Sequence, residues 1–162
     1  MIRPLILATA LALLPIAAPA ADVVVGLGYS DFSDKAAKDS AVLELELHSD
    51  PLWHFIGADW SLAGAVAAHA EGDYFVGVGP AALWPLANRW FVEASVMPGY
   101  FNDSGGANSL GSDFEIRSLL GIGRQISDRM SVSLAASHKS NANISSRNPG
   151  VNTLSLRARW GF

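Results

Sequence analysis

Cysteine is absent from the 162 residues, which excludes disulfide bonds and thiolate metal sites. Beyond Ala20 no apolar run approaches the roughly 18 to 20 residues that a membrane-spanning helix needs. Basic charge is scarce as well: 11 Lys and Arg stand against 15 Asp and Glu, for a net charge of −4, so no surface suited to nucleic acid is available. Three of the 4 histidines, His48, His54 and His69, are scattered over separate strand ends and read as interfacial or loop residues, not as a metal cluster. The glycines of the stretch GVGP, Gly77 and Gly79, precede no helix and so form no phosphate loop; they read as places where a strand bends or packs closely.

What is present begins with a three-part N-terminus. Arg3 supplies a positive charge, Leu5 to Ala18 an apolar stretch, and Ala18-Pro19-Ala20 a small-residue end. Residues 1–20 are therefore expected to be a secretory signal peptide, cleaved after Ala20 and not part of the fold. Residues 21–162 are enough for one domain.

Within that domain apolar residues alternate with small or polar ones instead of recurring at helical spacing, which predicts strands with two unlike faces. Leu154, Leu156, Ala158, Trp160 and Phe162 share one face, opposite Ser155, Arg157, Arg159 and Gly161. Trp90, Val92, Ala94 and Val96 oppose Phe91, Glu93 and Ser95, and Leu43, Leu45 and Leu47 oppose Glu44 and Glu46. Phe114, Ile116, Leu120 and Ile122 oppose Glu115, Arg117 and Gly121. Strands are expected near 22–32, 40–49, 53–68, 73–86, 88–101, 112–126, 129–142 and 152–162.

A soluble sandwich would satisfy the alternation equally well. Three features favour an all-β, eight-stranded, antiparallel up-and-down transmembrane barrel. The strand number is even, tight turns (49–52, 85–88, 127–128) contrast with longer Gly-, Ser- and Asn-rich loops, and the last strand ends on Phe162 with Trp160 and Trp90 placed for an aromatic girdle. The lumen of so small a barrel is filled by side chains. Glu44, Glu46, Glu93 and Glu115 with Arg117, Arg157 and Arg159 would form a charge network there, since unpaired buried charges are very costly.

Parity then assigns the stretch HKSNA, residues 138 to 142. Val132, Leu134 and Ala136 lie on the lipid side, and continuing by twos puts His138 and Ser140 there too, roughly 6.5 to 7 Å apart along the strand. With both termini periplasmic, the strand runs outward and the pair sits near the outer rim. Strand-end histidine and serine can be interfacial decoration; as a catalytic pair they would act on a lipid reached sideways from the membrane.

HKSNA on the penultimate strand, followed by an Asn-Pro-Gly turn and the final strand, resembles the motif of the lipid A 3-O-deacylases of the PagL type. The resemblance is good from Ser112 to Phe162 and rests on length and layout before that. It implies an outer-membrane barrel that hydrolyses the 3-O-linked acyl ester of lipid A, with lipopolysaccharide and outer-membrane lipids as partners, no cofactor or metal, and a homodimer left open. By position it makes His138 the general base and Ser140 the nucleophile. Asn141 becomes an oxyanion donor, Phe114 matches a strand aromatic, and the third triad member falls at residue 152.

There the sequence departs from the family pattern: Asn152 replaces glutamate, and no Asp or Glu follows Asp128. Its amide oxygen could still orient the histidine and leave a weakened esterase. The alternative is an inactive lipid-binding or structural barrel, because an acid-to-amide change in a serine triad costs on the order of 10⁴ in turnover.

Overall fold

The computed structural model describes residues 22–104 and 107–162; the expected signal peptide lies outside the described residues. Strands β1 (Asp22–Phe32), β2 (Ser40–His48), β3 (Trp53–Phe55), β4 (Ala58–His69), β5 (Tyr74–Pro85), β6 (Trp90–Asn102), β7 (Phe114–Gln125), β8 (Met130–Ser140) and β9 (Val151–Gly161) follow in chain order. All pairings are antiparallel, in the order β2-β1-β9-β8-β7-β6-β5-β4, and pairing of β2 with β4 closes the ring. Eight strands thus form an up-and-down barrel whose first and last strands are neighbours, from Asp22 opposite Gly161 to Phe32 opposite Val151.

One expected strand, 53–68, is divided. Ile56 (φ 53°) and Gly57 (φ 72°) both take left-handed backbone, and β3 folds back on β4 as a short hairpin with Trp53 opposite Trp60. A two-residue turn with positive φ at both positions matches the twist of antiparallel strands. Isoleucine rarely adopts that conformation, so its sequence carries little warning of the turn. The connection 49–57 is consequently no tight turn, although 86–89 and 126–129 at the same rim are short. At the other rim 33–39, 103–113 and 141–150 are long loops and 70–73 is a short turn.

Alternation sorts the two faces as the sequence implies. Leu27, Leu43, Leu45, Leu120, Ile122, Leu134, Leu154 and Leu156 are exposed on the outside, whereas Glu44, Glu46, Glu93, Arg117 and Arg157 are buried within. A continuous apolar outer wall of this extent is unsuited to water and matches lipid. In the lumen Arg117 pairs with Glu44 at 3.0 Å and Glu46 at 2.7 Å, Arg157 with Glu46 at 2.6 Å and Glu93 at 3.4 Å, and Arg159 with Glu93 at 3.0 Å and Asp22 at 2.8 Å. Glu115 is buried in the lumen but takes part in none of these pairs. Replacing Arg117 by Ala leaves Glu44 and Glu46 short of their shared counter-charge and should destabilise the barrel by about 3–5 kcal/mol. Urea titration in a bilayer should register the loss, with Glu44→Gln in the same chain recovering part of it.

The remaining histidines require a correction. His48 and His69 are buried in the lumen, not interfacial: His48 Nε2 lies 2.9 Å from Glu46 Oε2, and His69 Nδ1 lies 3.3 Å from Ser40 Oγ. Parity from Glu44 and Glu46 carries His48 inward. Only His54 is exposed, beside Asp59. Gly79 does allow close strand packing, since a Cβ there would come within 2.1 Å of the Val96 carbonyl oxygen.

At the end of the barrel that carries loops 33–39 and 141–150 the lumen is plugged by Phe32, Val42, Ala67, Phe75, Phe101, Leu110 and Val151. That mouth is therefore closed to large substrates.

Candidate active site

His138 lies near the end of β8, on the outer face, between two register partners: Ser118 of β7 on one side and Asn152 of β9 on the other. Its Nδ1 is 2.8 Å from Asn152 Oδ1. This is the only side-chain partner the ring has among the described residues. Imidazole and amide meet because directly opposed residues on one face of an antiparallel pair bring their side chains together.

The far edge of the ring lies over Gly150. A Cβ built there would be 2.9 Å from His138 Cε1 and 3.4 Å from Nε2, and Gly150 has φ 72°. The register Lys139 opposite Val151, continued by one step, sets Gly150 beside Ser140. Nε2 thus lies over Gly150, on the side of the ring away from Asn152. No hydrogen bond joins Ser140 Oγ to His138 among the described residues; in a catalytic pair such a bond often forms only once substrate is bound. Gly150→Ala should tilt the imidazole off Asn152; ¹⁵N shifts of the His138 ring in micelles, with the folded fraction checked by gel mobility without heating, measure it.

Around His138 the wall forms an open groove of about 560 Å³ lined by Tyr29, Asp31, Ser118, Leu120, Asn152 and Leu154, among others. The groove opens sideways, not into the lumen. Phe114 is exposed on the same outer face at the start of β7, opposite Tyr100, and does not line the groove.

Asn141 is placed differently from the sequence-based expectation. It is fully buried, and its NH₂ donates to the carbonyls of Leu110 (3.0 Å) and Arg147 (2.8 Å). With both amide hydrogens engaged it ties loop 103–113 to loop 141–150, and its side chain has no free donor for an oxyanion. Asn148 completes the knot by accepting the Asn141 backbone N–H at 3.0 Å and donating to Asn143 Oδ1 at 3.1 Å. Arg147 in turn pairs with Asp34 of loop 33–39. The Ala36 backbone N–H and, next, the Arg147 guanidinium hold the Asp34 carboxyl below the usual carboxylate range, so this clasp keeps its charge through neutral and mildly acidic pH and loses it only as pH falls through the lowered value.

Sequence reasoning overlooked Asp31. It is exposed on the outer face of β1, directly opposite Asn152 across the β1–β9 seam, and it lines the same groove. A search for an acid confined to the chain after Asp128 cannot find it. The available signal was barrel closure, which makes the first and last strands neighbours.

A closed barrel with an apolar outer wall, a charged and plugged interior and His138, Asn152 and Asp31 opening sideways onto that wall defines an outer-membrane protein with a polar site on its lipid-facing surface. The family model for lipid A 3-O-deacylase (PagL) matches residues 25–161, and the chain belongs to that family. Its fold is similar to the crystal structure of the outer membrane enzyme PagL, at 21% identity and a TM-score of 0.72, over 88% of this chain and 100% of that one. It is also similar to Neisserial surface protein A (10% identity, TM-score 0.56, 87% and 95% covered). A third likeness is to Ail, the attachment invasion locus protein of Yersinia pestis (12% identity, TM-score 0.52, 87% and 95% covered). No curated protein matches the chain by sequence.

Proposed function

We propose that the protein is a lipid A 3-O-deacylase working within the outer leaflet, with Ser140 as nucleophile, His138 as general base and Asn152 in the place of the usual acid. The observation that carries this reading is the 2.8 Å contact between His138 Nδ1 and Asn152 Oδ1 on the lipid-facing wall, next to Ser140. With the amide oxygen accepting Nδ1–H, the lone pair is left on Nε2, the nitrogen that would serve Ser140. Nε2 takes the Ser140 proton as Oγ attacks the ester carbonyl, then returns it to the leaving 3-hydroxyl of the glucosamine. Water, activated by the same imidazole, releases the fatty acid from Ser140.

The tetrahedral oxyanion needs nearby donors. Since the Asn141 amide is engaged, backbone N–H groups of the turn after Ser140 are the ones that remain. Ala142 (φ 52°) and Asn143 (φ 62°) hold that turn in left-handed backbone, supported by the Asn141–Asn148 knot. Phe114, Tyr29 and the leucines of the groove would pack acyl chains.

Asn152 also supports a second reading, a lipid-binding barrel with little or no catalysis, because an amide cannot neutralise the imidazolium that forms during attack. Mass spectrometry of lipid A after incubation with the refolded protein separates the two. Loss of one ester-linked acyl chain with the unmodified protein and not with His138→Ala supports the deacylase; an unchanged lipid A profile in both supports the inert barrel.

A further inference from the structure

Asparagine and histidine can satisfy each other in two ways. Either the amide oxygen accepts Nδ1–H, which leaves Nε2 free to act as base, or the amide NH₂ donates to a bare Nδ1, which puts the proton on Nε2 and disables it. In isolation nothing favours the productive arrangement, and this ambiguity is a principal reason that amides are poor substitutes for triad acids.

We propose that Asp31 resolves it: its carboxylate, across the seam from Asn152, holds the Asn152 NH₂ and so fixes the amide oxygen toward His138. Asp31 is then a positioning residue in a three-strand row, Asp31 of β1, Asn152 of β9 and His138 of β8, each directly opposite the next. The inference rests on the deacylase reading above and names how that site functions without glutamate.

Four observations support it. All three side chains are exposed on the same outer face and line one groove. Opposed residues in an antiparallel pair have Cβ atoms roughly 4.5–5.5 Å apart, within reach of an amide–carboxylate hydrogen bond. The two polar atoms of an amide lie on opposite sides of its axis, so with Oδ1 toward β8 the NH₂ is toward β1, where Asp31 stands. A carboxylate is purely an acceptor and rejects the flipped amide, which would set oxygen against oxygen.

The Asp31 carboxylate is unengaged among the described residues: it bonds no donor, Asn152 included, so the proposed contact forms by rotation of the Asp31 side chain across the seam. It takes part in no ion pair among the described residues. The next carboxylate along the row, Asp39, accepts the Phe32 backbone N–H at 3.0 Å. No lysine or arginine among the described residues lines the groove, and of its outer-face donors, Tyr29, Ser118, His138 and Asn152, it is Asn152 that stands directly opposite Asp31.

The experiment is a double-mutant cycle with a spectroscopic readout. Asp31→Asn is introduced into the native chain and into Asn152→Glu, lipid A deacylation is followed under steady state, and ¹⁵N chemical shifts of the His138 ring are recorded in micelles, assigned with His138→Gln. In the native chain Asp31→Asn should reduce kcat about tenfold or more while KM stays within about twofold. It should also shift the ring from the Nδ1–H tautomer toward Nε2–H.

In the Asn152→Glu chain the same change should be neutral or stimulating, because a carboxylate at that position needs no orienting partner and would face Asp31 as a like charge. Equal losses in both backgrounds, or no loss in the native one with an unaltered tautomer, overturn the proposal. If neither the native chain nor Asn152→Glu hydrolyses lipid A, the deacylase reading fails. The tautomer then decides alone: a shift in Asp31→Asn sustains the role of Asp31, and its absence removes it.

Discussion

Replacing Asn152 by glutamate is expected to raise the turnover of lipid A hydrolysis, by up to about 10⁴-fold if the asparagine acts alone. The amide oxygen already sits 2.8 Å from His138 Nδ1, so position 152 lies within reach of the imidazole, and glutamate brings a charge there once its extra methylene is accommodated. That charge matters at one moment. In the proposed mechanism His138 becomes an imidazolium on an apolar wall as it takes the Ser140 proton, and a carboxylate beside it would stabilise the cation where an amide supplies only a dipole. Glutamate also accepts in either orientation and so removes the tautomer ambiguity. Its longer side chain has room, because position 152 is exposed and opens into the groove. Initial rates of fatty-acid release from purified lipopolysaccharide measure the gain; a rate within about twofold of the native one would mean that the third triad position does not limit this site.

Ser140→Ala should abolish whatever hydrolysis the native chain performs, and the size of the loss is tied to the first result. Removing the nucleophile of an intact serine triad costs about 10⁶ in kcat, with the members acting as a unit. An uncompensated acid-to-amide change already forfeits about 10⁴ of that, which leaves about 10² for Ser140→Ala to remove. If Asp31 restores part of the acid's role, the loss on Ser140→Ala grows toward about 10⁶ and the gain on Asn152→Glu shrinks in step. Neither a gain nor a loss would identify an inert barrel. Ser140 bears no hydrogen bond to the lumen network among the described residues, and alanine is smaller, so the variant should fold; gel mobility without heating verifies this before rates are compared.

Much of this arrangement was legible along the chain because strand alternation is a local property. Leu154 and Leu156 on one side and Arg157 on the other need only the two-residue period of a pleated backbone to be sorted. The same count carries His138, Ser140 and Asn152 to the outer face. His48 yields to it as well, provided parity is carried to the very end of the strand. The β3 hairpin was not legible, since Ile56 adopts a backbone conformation its side chain disfavours. Nor was the fate of Asn141, whose two donors are claimed by carbonyls of Leu110 and Arg147 on loops with no periodicity to read.

By itself, then, the sequence determined a lipid-facing exterior, a charged interior and a His-Ser pair on that exterior at a strand end, because each follows from side-chain direction within a single strand. Tertiary structure alone decided which side chains become partners across the ring. Closing the barrel sets β1 against β9, and so puts Asp31 opposite Asn152 from the other end of the chain. Register between strands so distant in sequence is set by the sum of all the pairings around the barrel, and no local pattern contains it.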